Sequence, residues 1–183
     1  MSRLNSNDEQ LLLSEEIRAR IVSCAGALPA KFILVRIAEQ RLLVVHDEQP
    51  CATYPVGTSR YGVGSEDGSL KTPRGIHRIV EKIGDGAPVG RVFRDRIDTG
   101  EDWSGDERED NLILTRILRL EGLEEGVNRG PGIDSFDRCI YVHGTNQECR
   151  VGTPLSHGCV CMKNTDIVEL FDSVEVGTIV AID

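Results

Sequence analysis

Cys159 follows Ser156, His157 and Gly158, and His143 stands 16 residues upstream of it beside Gly144. A free thiol titrates near pH 8.5, so a nucleophilic cysteine needs a neighbouring base or a ring of backbone donors to favour its thiolate. Glycine lets the chain turn tightly enough for successive N–H groups to face one space, and such a concavity can receive the oxyanion of a tetrahedral intermediate. A cysteine and a histidine separated in sequence and joined by the fold are the usual form of this chemistry. Two other readings compete. A lone cysteine is often an inert small hydrophobe, and His157, Cys159 and Cys161 beside His143 are also ligand types for zinc. Against zinc, these positions match no common finger spacing and the chain contains no Cys-x-x-Cys pair.

The elements that would position these side chains can be read on either side of them. A β-branched approach, Cys139 to Val142, leads into His143, and Thr165–Val174 has an apolar helical face of Ile167, Val168, Leu170, Phe171 and Val174. Gly177 ends that helix, and a last strand follows. Upstream, residues 8–25 read as an amphipathic helix with Leu13, Ile17, Ile21 and Cys24 at helical spacing, Asn5, Ser6 or Asn7 as its cap and Glu9 in its first turn. Pro29 stops it. Strands are expected over Phe32–Ile37, Arg41–His46, Cys51–Val56, Ile76–Val80 and Asn111–Leu120, with Glu39-Gln40 turning the first hairpin. Leu120–Ser135, rich in glycine, is expected to be a loop. His46 and His77 read as surface or satisfied strand histidines.

Ile83 to Asp110 is the least strand-like stretch. Asp98–Asp110 carries seven acids and one arginine around Trp103, the only tryptophan. Such a run is usually a solvated face; the sharper reading is a lid over the Cys159 groove with Trp103 as its apolar cover. Tyr61–Gly75 is glycine-rich but lacks the Gly-Lys-Ser/Thr ending of a phosphate loop.

Bulk properties bound the function. The chain has 183 residues, 39% of them hydrophobic, which suits one domain filled by Leu, Ile and Val because aromatics are 4%. A formal charge of −9 argues against nucleic acid or an anionic membrane as partner. Leu11–Leu13 is followed at once by Ser14, Glu15 and Glu16, which is too short and too acidic for a secretory leader, and no stretch has transmembrane length. The expectation is therefore a cytoplasmic protein, with Cys24, Cys51 and Cys139 as buried free thiols.

The motifs also carry a resemblance. His143-Gly144-Thr145, then Ser156-His157-Gly158-Cys159, then Met162, Asn164 and Asp166 resemble the signature of the YkuD-type L,D-transpeptidase catalytic domain. Lys71-Thr72-Pro73-Arg74-Gly75 is similar to the family's Thr-Pro-x-Gly strand, and Gly177–Ile182 to its closing strand. The resemblance covers about residues 31–183, with residues 1–30 as a helical segment packed on that domain. It implies a mainly β fold, a YkuD-like sandwich of mixed sheets with an N-terminal helix and a helix after the motif.

It also implies a cysteine enzyme with no cofactor or metal, acting on peptidoglycan stem peptides. Cys159 would attack the amide between an L-centred third residue and the following D-alanine. His143 would be the base, oriented by the Gly144 carbonyl. The amides of Gly158 and Cys159 would form the oxyanion hole, and His157 and Ser156 would line the substrate site. Many members have arginine where this chain has Cys161; Arg150 or Lys71 would then hold the substrate carboxylate, and Arg116, Arg119 and Arg129 are further cations ahead of the motif. Cys161 is expected to be structural, pointing the opposite way from Cys159 if both lie in extended backbone, in preference to a redox partnership between the two. A cytoplasmic location would make water the acceptor, as in an L,D-carboxypeptidase of murein recycling; transfer to an amine would make a cross-linking L,D-transpeptidase.

Overall fold

The computed structural model describes residues 13–106 and 110–183. Ten strands and two α-helices are present among them: β1 (Lys31–Arg36), β2 (Arg41–His46), β3 (Gln49–Pro55), β4 (Gly75–Ile83), β5 (Arg91–Arg94), β6 (Ile97–Asp102), β7 (Ile113–Gly122), β8 (Tyr141–Gly144), β9 (Val160–Met162), β10 (Ile179–Ile182), α1 (Glu15–Ala25) and α2 (Asn164–Ser173). The mainly β expectation, with mixed pairing and one helix on each side of the motif, holds. The strands join through hydrogen bonds in one network ordered β3-β2-β1-β10-β4-β7-β5-β6, and β8 branches from β7 to carry β9.

Local chemistry explains where the helices begin and end. Ser14 caps α1, its hydroxyl accepting the Ile17 amide at 3.2 Å, and Glu15 and Glu16 fill the first turn where the dipole favours acids. Gly26, at φ 80°, closes the helix in the left-handed region. The expected caps Asn5, Ser6 and Asn7, and Glu9, lie outside the described residues. Ile17 and Ile21 are buried and pack with Phe32, Leu34, Leu43, Val45, Ile76 and Ile179, so α1 covers one face of the β1–β2–β10–β4 sheet.

The opposite face builds the larger core. Ile33, Val35, Leu42 and Val44 meet Leu118 and Leu120 of β7, Val142 of β8, Val160 and Met162 of β9, and Ile167, Leu170 and Phe171 of α2. Alternation along β8 then sends Tyr141 and His143 to the other side. There Tyr141 packs with Phe93 and Ile117, with Cys139 and Cys159 at the margin. β8 and β9 run parallel, with His143 opposite Cys161 and Val142 opposite Val160.

The stretch expected to be least strand-like contains a β-hairpin. Asp95 and Arg96 both adopt positive φ, 49° and 70°, which is the twist a tight hairpin turn needs. Its charges pair across the ribbon: Arg91 with Asp98 at 3.0 Å and Asp102 at 2.7 Å, and Arg94 with Glu101 at 3.2 Å. Part of the acidic run is therefore the partner set of two arginines. No described helix is long and apolar enough to cross a membrane.

Candidate active site

Four segments converge on Cys159. The first is β8, which delivers His143 buried at 2% exposure. Its Nδ1 donates to the Gly144 carbonyl at 2.7 Å, which leaves the lone pair on Nε2. That bond needs the backbone to pass close: a Cβ at Gly144 would collide with Asn164 Oδ1 and the Leu114 carbonyl. Asn164 itself is held by Thr115 at 2.6 Å and the Thr145 carbonyl at 2.9 Å, so the start of α2 braces the base.

The second is β9. It is held on one side by β8 and on the other by Gly57, whose amide and carbonyl pair with Cys161 at 2.8 and 2.9 Å. Cys159 immediately precedes this strand, and Cys161 does not point away from it. Both thiols lie on the side of Tyr141 and His143, Cys159 packing beside Tyr141 and Cys161 facing His143. The sulfur in contact with His143 Nε2 is that of Cys161, at 3.7 Å, and it also accepts from Asn111 Nδ2 at 3.1 Å. Cys161 is fully buried, whereas Cys159 is partly exposed and donates to the Cys139 carbonyl at 3.5 Å.

The third is the turn Ser156–Cys159. Gly158 has φ 130°, open to glycine. The Ser156 hydroxyl donates to the Cys159 carbonyl at 2.6 Å and accepts the Gly158 amide at 3.2 Å. Two expectations change here. Ser156 is fully buried, so it shapes the loop and does not line a substrate groove, and the Gly158 amide, expected in an oxyanion hole, is already engaged by that hydroxyl. His157 is exposed, as a substrate-lining residue must be, and stands 2.5 Å from Arg60 Nη2 with its ring 5.7 Å from that of Tyr61.

The fourth is the Thr-Pro segment. Thr72 is fully buried; its hydroxyl donates to the Gly158 carbonyl at 2.9 Å and accepts the Ser59 amide at 2.9 Å. Sequence reading recognised this segment by pattern, and the structure supplies its task, which is to pin the nucleophile turn. Thr72→Val keeps the shape but strands a buried amide and a carbonyl. We expect a loss of about 1–3 kcal/mol in urea unfolding, with Thr72→Ser close to the parent; equal midpoints for Val and Ser would show that the hydroxyl is dispensable.

Electrostatics follow from burial. It lowers His143 to about 4, against which the Gly144 hydrogen bond pulls upward. It raises the Cys159 thiol to about 11, opposed by the Tyr141 amide and by Arg138, and it raises Cys161 further still. The resting pair is thus a neutral thiol and a neutral imidazole.

The other sequence candidates fall into place around this centre. Arg150 sits exposed on a short 3-10 turn, donating to Gln147 at 3.0 Å. Lys71 offers its carbonyl to Arg138 at 2.8 Å. Arg116 is buried, its guanidinium bonded to the Ala87 and Thr115 carbonyls, and Arg119 lies 3.5 Å over the Phe136 ring, so neither is a solvent-facing cation. Trp103 follows the hairpin, its amide on the Gly90 carbonyl at 2.8 Å and its ring N–H on Asp106 at 3.1 Å. The part of the hairpin that reaches the site is its tip: Arg96 donates to the Tyr141 hydroxyl at 2.9 Å and Cys139 Sγ at 3.7 Å. His77 is fully buried between Gly75 and Ser135, so it is the satisfied histidine. All six cysteines are free, but Cys51 is exposed and Cys24 and Cys139 are partly exposed, so none of the three is buried as expected. Among the described residues no group of three or more His, Cys, Asp or Glu side chains is placed to hold a metal. Arg60, Arg96 and Arg138 escaped sequence reading; loop arginines carry no period or motif that would single them out.

The fold and the site geometry can now be set beside those of known proteins. Residues 30–182 match the YkuD family, described as the L,D-transpeptidase catalytic domain, and the chain belongs to that family. A curated relative from Salmonella typhimurium, named "Probable L,D-transpeptidase ErfK/SrfK", is 30% identical over 95% of this chain and 47% of its own length. The chain thus spans about half the length of that relative. L,D-transpeptidase 3 from Mycobacterium tuberculosis, solved with a faropenem-derived adduct, superposes with TM-score 0.52 at 16% identity, over 86% of this chain and 61% of that one. An Enterococcus faecium L,D-transpeptidase gives 0.53 at 14%, over 85% and 50%. At these identities the structural likeness speaks for the fold.

Proposed function

We propose that this protein carries out cysteine-dependent acyl transfer on peptidoglycan stem tetrapeptides, at the bond between the L-centred third residue and D-alanine, with water as the acceptor. The observation that carries this reading is the partly exposed Cys159 on the face it shares with His143, in a turn pinned by Ser156 and Thr72. His143 takes the Cys159 proton at Nε2 as sulfur attacks the carbonyl carbon. Because the resting thiol faces the Cys139 carbonyl, this requires Cys159 Sγ to turn toward the imidazole when substrate binds; such bonds are often formed only in the complex. The imidazolium then protonates the departing amine as the C–N bond breaks, which its low pKa favours, and water cleaves the thioester. The Cys159 amide is the donor we assign to the developing charge, while the Tyr141 amide faces the sulfur and favours its thiolate.

Transfer to an amine uses the same thioester and the same residues, and one experiment separates the two acceptors. A purified tetrapeptide is incubated with the protein, with and without an added D-amino acid, and the products are weighed by mass spectrometry. Loss of terminal D-alanine without an exchange product is expected. Exchange or dimer formation would instead make the protein a transpeptidase, and an unchanged tetrapeptide would remove this substrate class.

A further inference from the structure

Cys161, two residues past the nucleophile, is buried against His143 and offers no positive charge, so a cation for the substrate must come from elsewhere. Arg138 is built into the wall of the Cys159 site. Asp134 folds the preceding turn, its carboxylate accepting the Phe136 and Asp137 amides at 2.9 and 3.3 Å and its carbonyl the Arg138 amide at 3.0 Å. Cys139 follows at φ 56°, an uncommon conformation for a residue with a side chain, and its carbonyl receives the Cys159 thiol. The residue next to Arg138 is therefore already in contact with the nucleophile.

The guanidinium is fixed from the other side by the Thr-Pro segment. Nη2 donates to the Lys71 carbonyl at 2.8 Å and to Ser69 Oγ at 3.5 Å, and Nη1 to the Gly64 carbonyl at 3.3 Å. The Lys71 carbonyl also lies 3.4 Å from where a Cβ on Gly158 would stand, so it is a common neighbour of the guanidinium and the nucleophile turn. Arginine presents five donors, and these contacts leave others open. Glu66 and Asp67 act on Arg138 without closing an ion pair, and its charge is felt by the Cys159 sulfur. Arg96, at the hairpin tip, spends its donors on Tyr141 and Cys139, and Arg60 stands against His157.

We propose that Arg138 is a specificity-determining residue that holds the terminal carboxylate of the donor peptide while Cys159 attacks. At attack the scissile carbon sits roughly 3–3.5 Å from sulfur, and the carboxylate of the leaving amino acid is only two bonds beyond the scissile nitrogen. A guanidinium fixed on the Lys71 carbonyl, which also borders the nucleophile turn, is placed for that group, and a planar fork suits a carboxylate. This inference rests on Cys159 as the acylated thiol.

The test uses two alkylating probes of different charge, iodoacetate and neutral iodoacetamide, with rates followed at the Cys159 peptide by mass spectrometry. Relative to iodoacetamide, iodoacetate should lose about tenfold in Arg138→Gln and keep its parent ratio in Arg138→Lys. Both reagents attack the same thiolate, so a rise in the thiol pKa on losing the Arg138 charge cancels in the ratio, and a parent-like urea midpoint shows that the variant is still folded. A ratio indifferent to Arg138→Gln overturns the proposal. With peptide, Arg138→Gln should raise KM for the free-acid tetrapeptide about tenfold and leave KM for its C-terminal amide unchanged; a parallel rise in both would mean a merely structural role. If the parent cleaves neither peptide, the functional reading falls, while the alkylation ratio still decides on Arg138.

Discussion

On the proposed reading, Cys159→Ala should lower the rate of D-alanine release by at least ~1000-fold, the scale on which catalytic constellations fail when their nucleophile is lost. Cys161→Ala keeps the rate within about tenfold of the parent, because that thiol is fully buried and no peptide carbonyl can approach it. The contrast matters because His143 rests against Cys161 and not against Cys159. Reversed outcomes for the two variants would transfer the nucleophile role to Cys161 and demand a large opening of β9. The same assignment sets a pH signature. Burial holds the Cys159 thiol at about 11, so its alkylation should climb with pH up to that region. A plateau near neutrality would reveal a preformed thiolate–imidazolium pair, which the depressed His143 argues against.

Acid should unfold the protein well before its carboxylates are fully protonated. His77 and His143 are 0% and 2% exposed, and burial depresses each to about 4 from an ordinary value near 6.5. The unfolded chain then binds more protons than the folded one between those values, so the stabilising contribution is complete above pH 6.5 and is lost as pH falls toward 4. Each histidine accounts for roughly 2–3 kcal/mol by pH 4.5, and two together remove a large part of the 5–15 kcal/mol typical of a domain. Urea midpoints at pH 7.5, 6 and 4.5 should fall in that order. A midpoint that holds steady to pH 4.5 would mean that both imidazoles are hydrated.

How much could be read beforehand divides along physical lines. Strands with one or both faces buried, such as Lys31–Arg36 and Arg41–His46, advertise themselves through apolar runs. β5 and β6 do not, because their pairing depends on cross-strand charges and on positive φ at Asp95 and Arg96, neither of which has a hydrophobic period. His143 and Cys159 stood out through residue type and spacing. Their actual relation did not, since the parallel register that sets His143 opposite Cys161 is fixed by β8 against β9. The placing of Cys161 away from Cys159 failed on elementary geometry, because a strand repeats its facing every second residue. Arg138 was invisible for a different reason: its position comes from a turn organised by Asp134 and from carbonyls more than sixty residues away in sequence.

The central pairing of β1 with β10 has a kinetic meaning. Phe32 lies beside Ile179 and Leu34 beside Ala181, so strands from opposite ends of the described chain must meet to complete the centre of the sheet, where β4 pairs with the other edge of β10. Little of that union is local, and the entropy of closing so long a loop has to be lost before the contacts reward it. Chains of this kind reach the native state in milliseconds to seconds. During that interval the β1–β2 hairpin displays an open edge on β1, and Ile33 and Val35 lack their cover, making this stretch the part of the nascent chain most exposed to self-association.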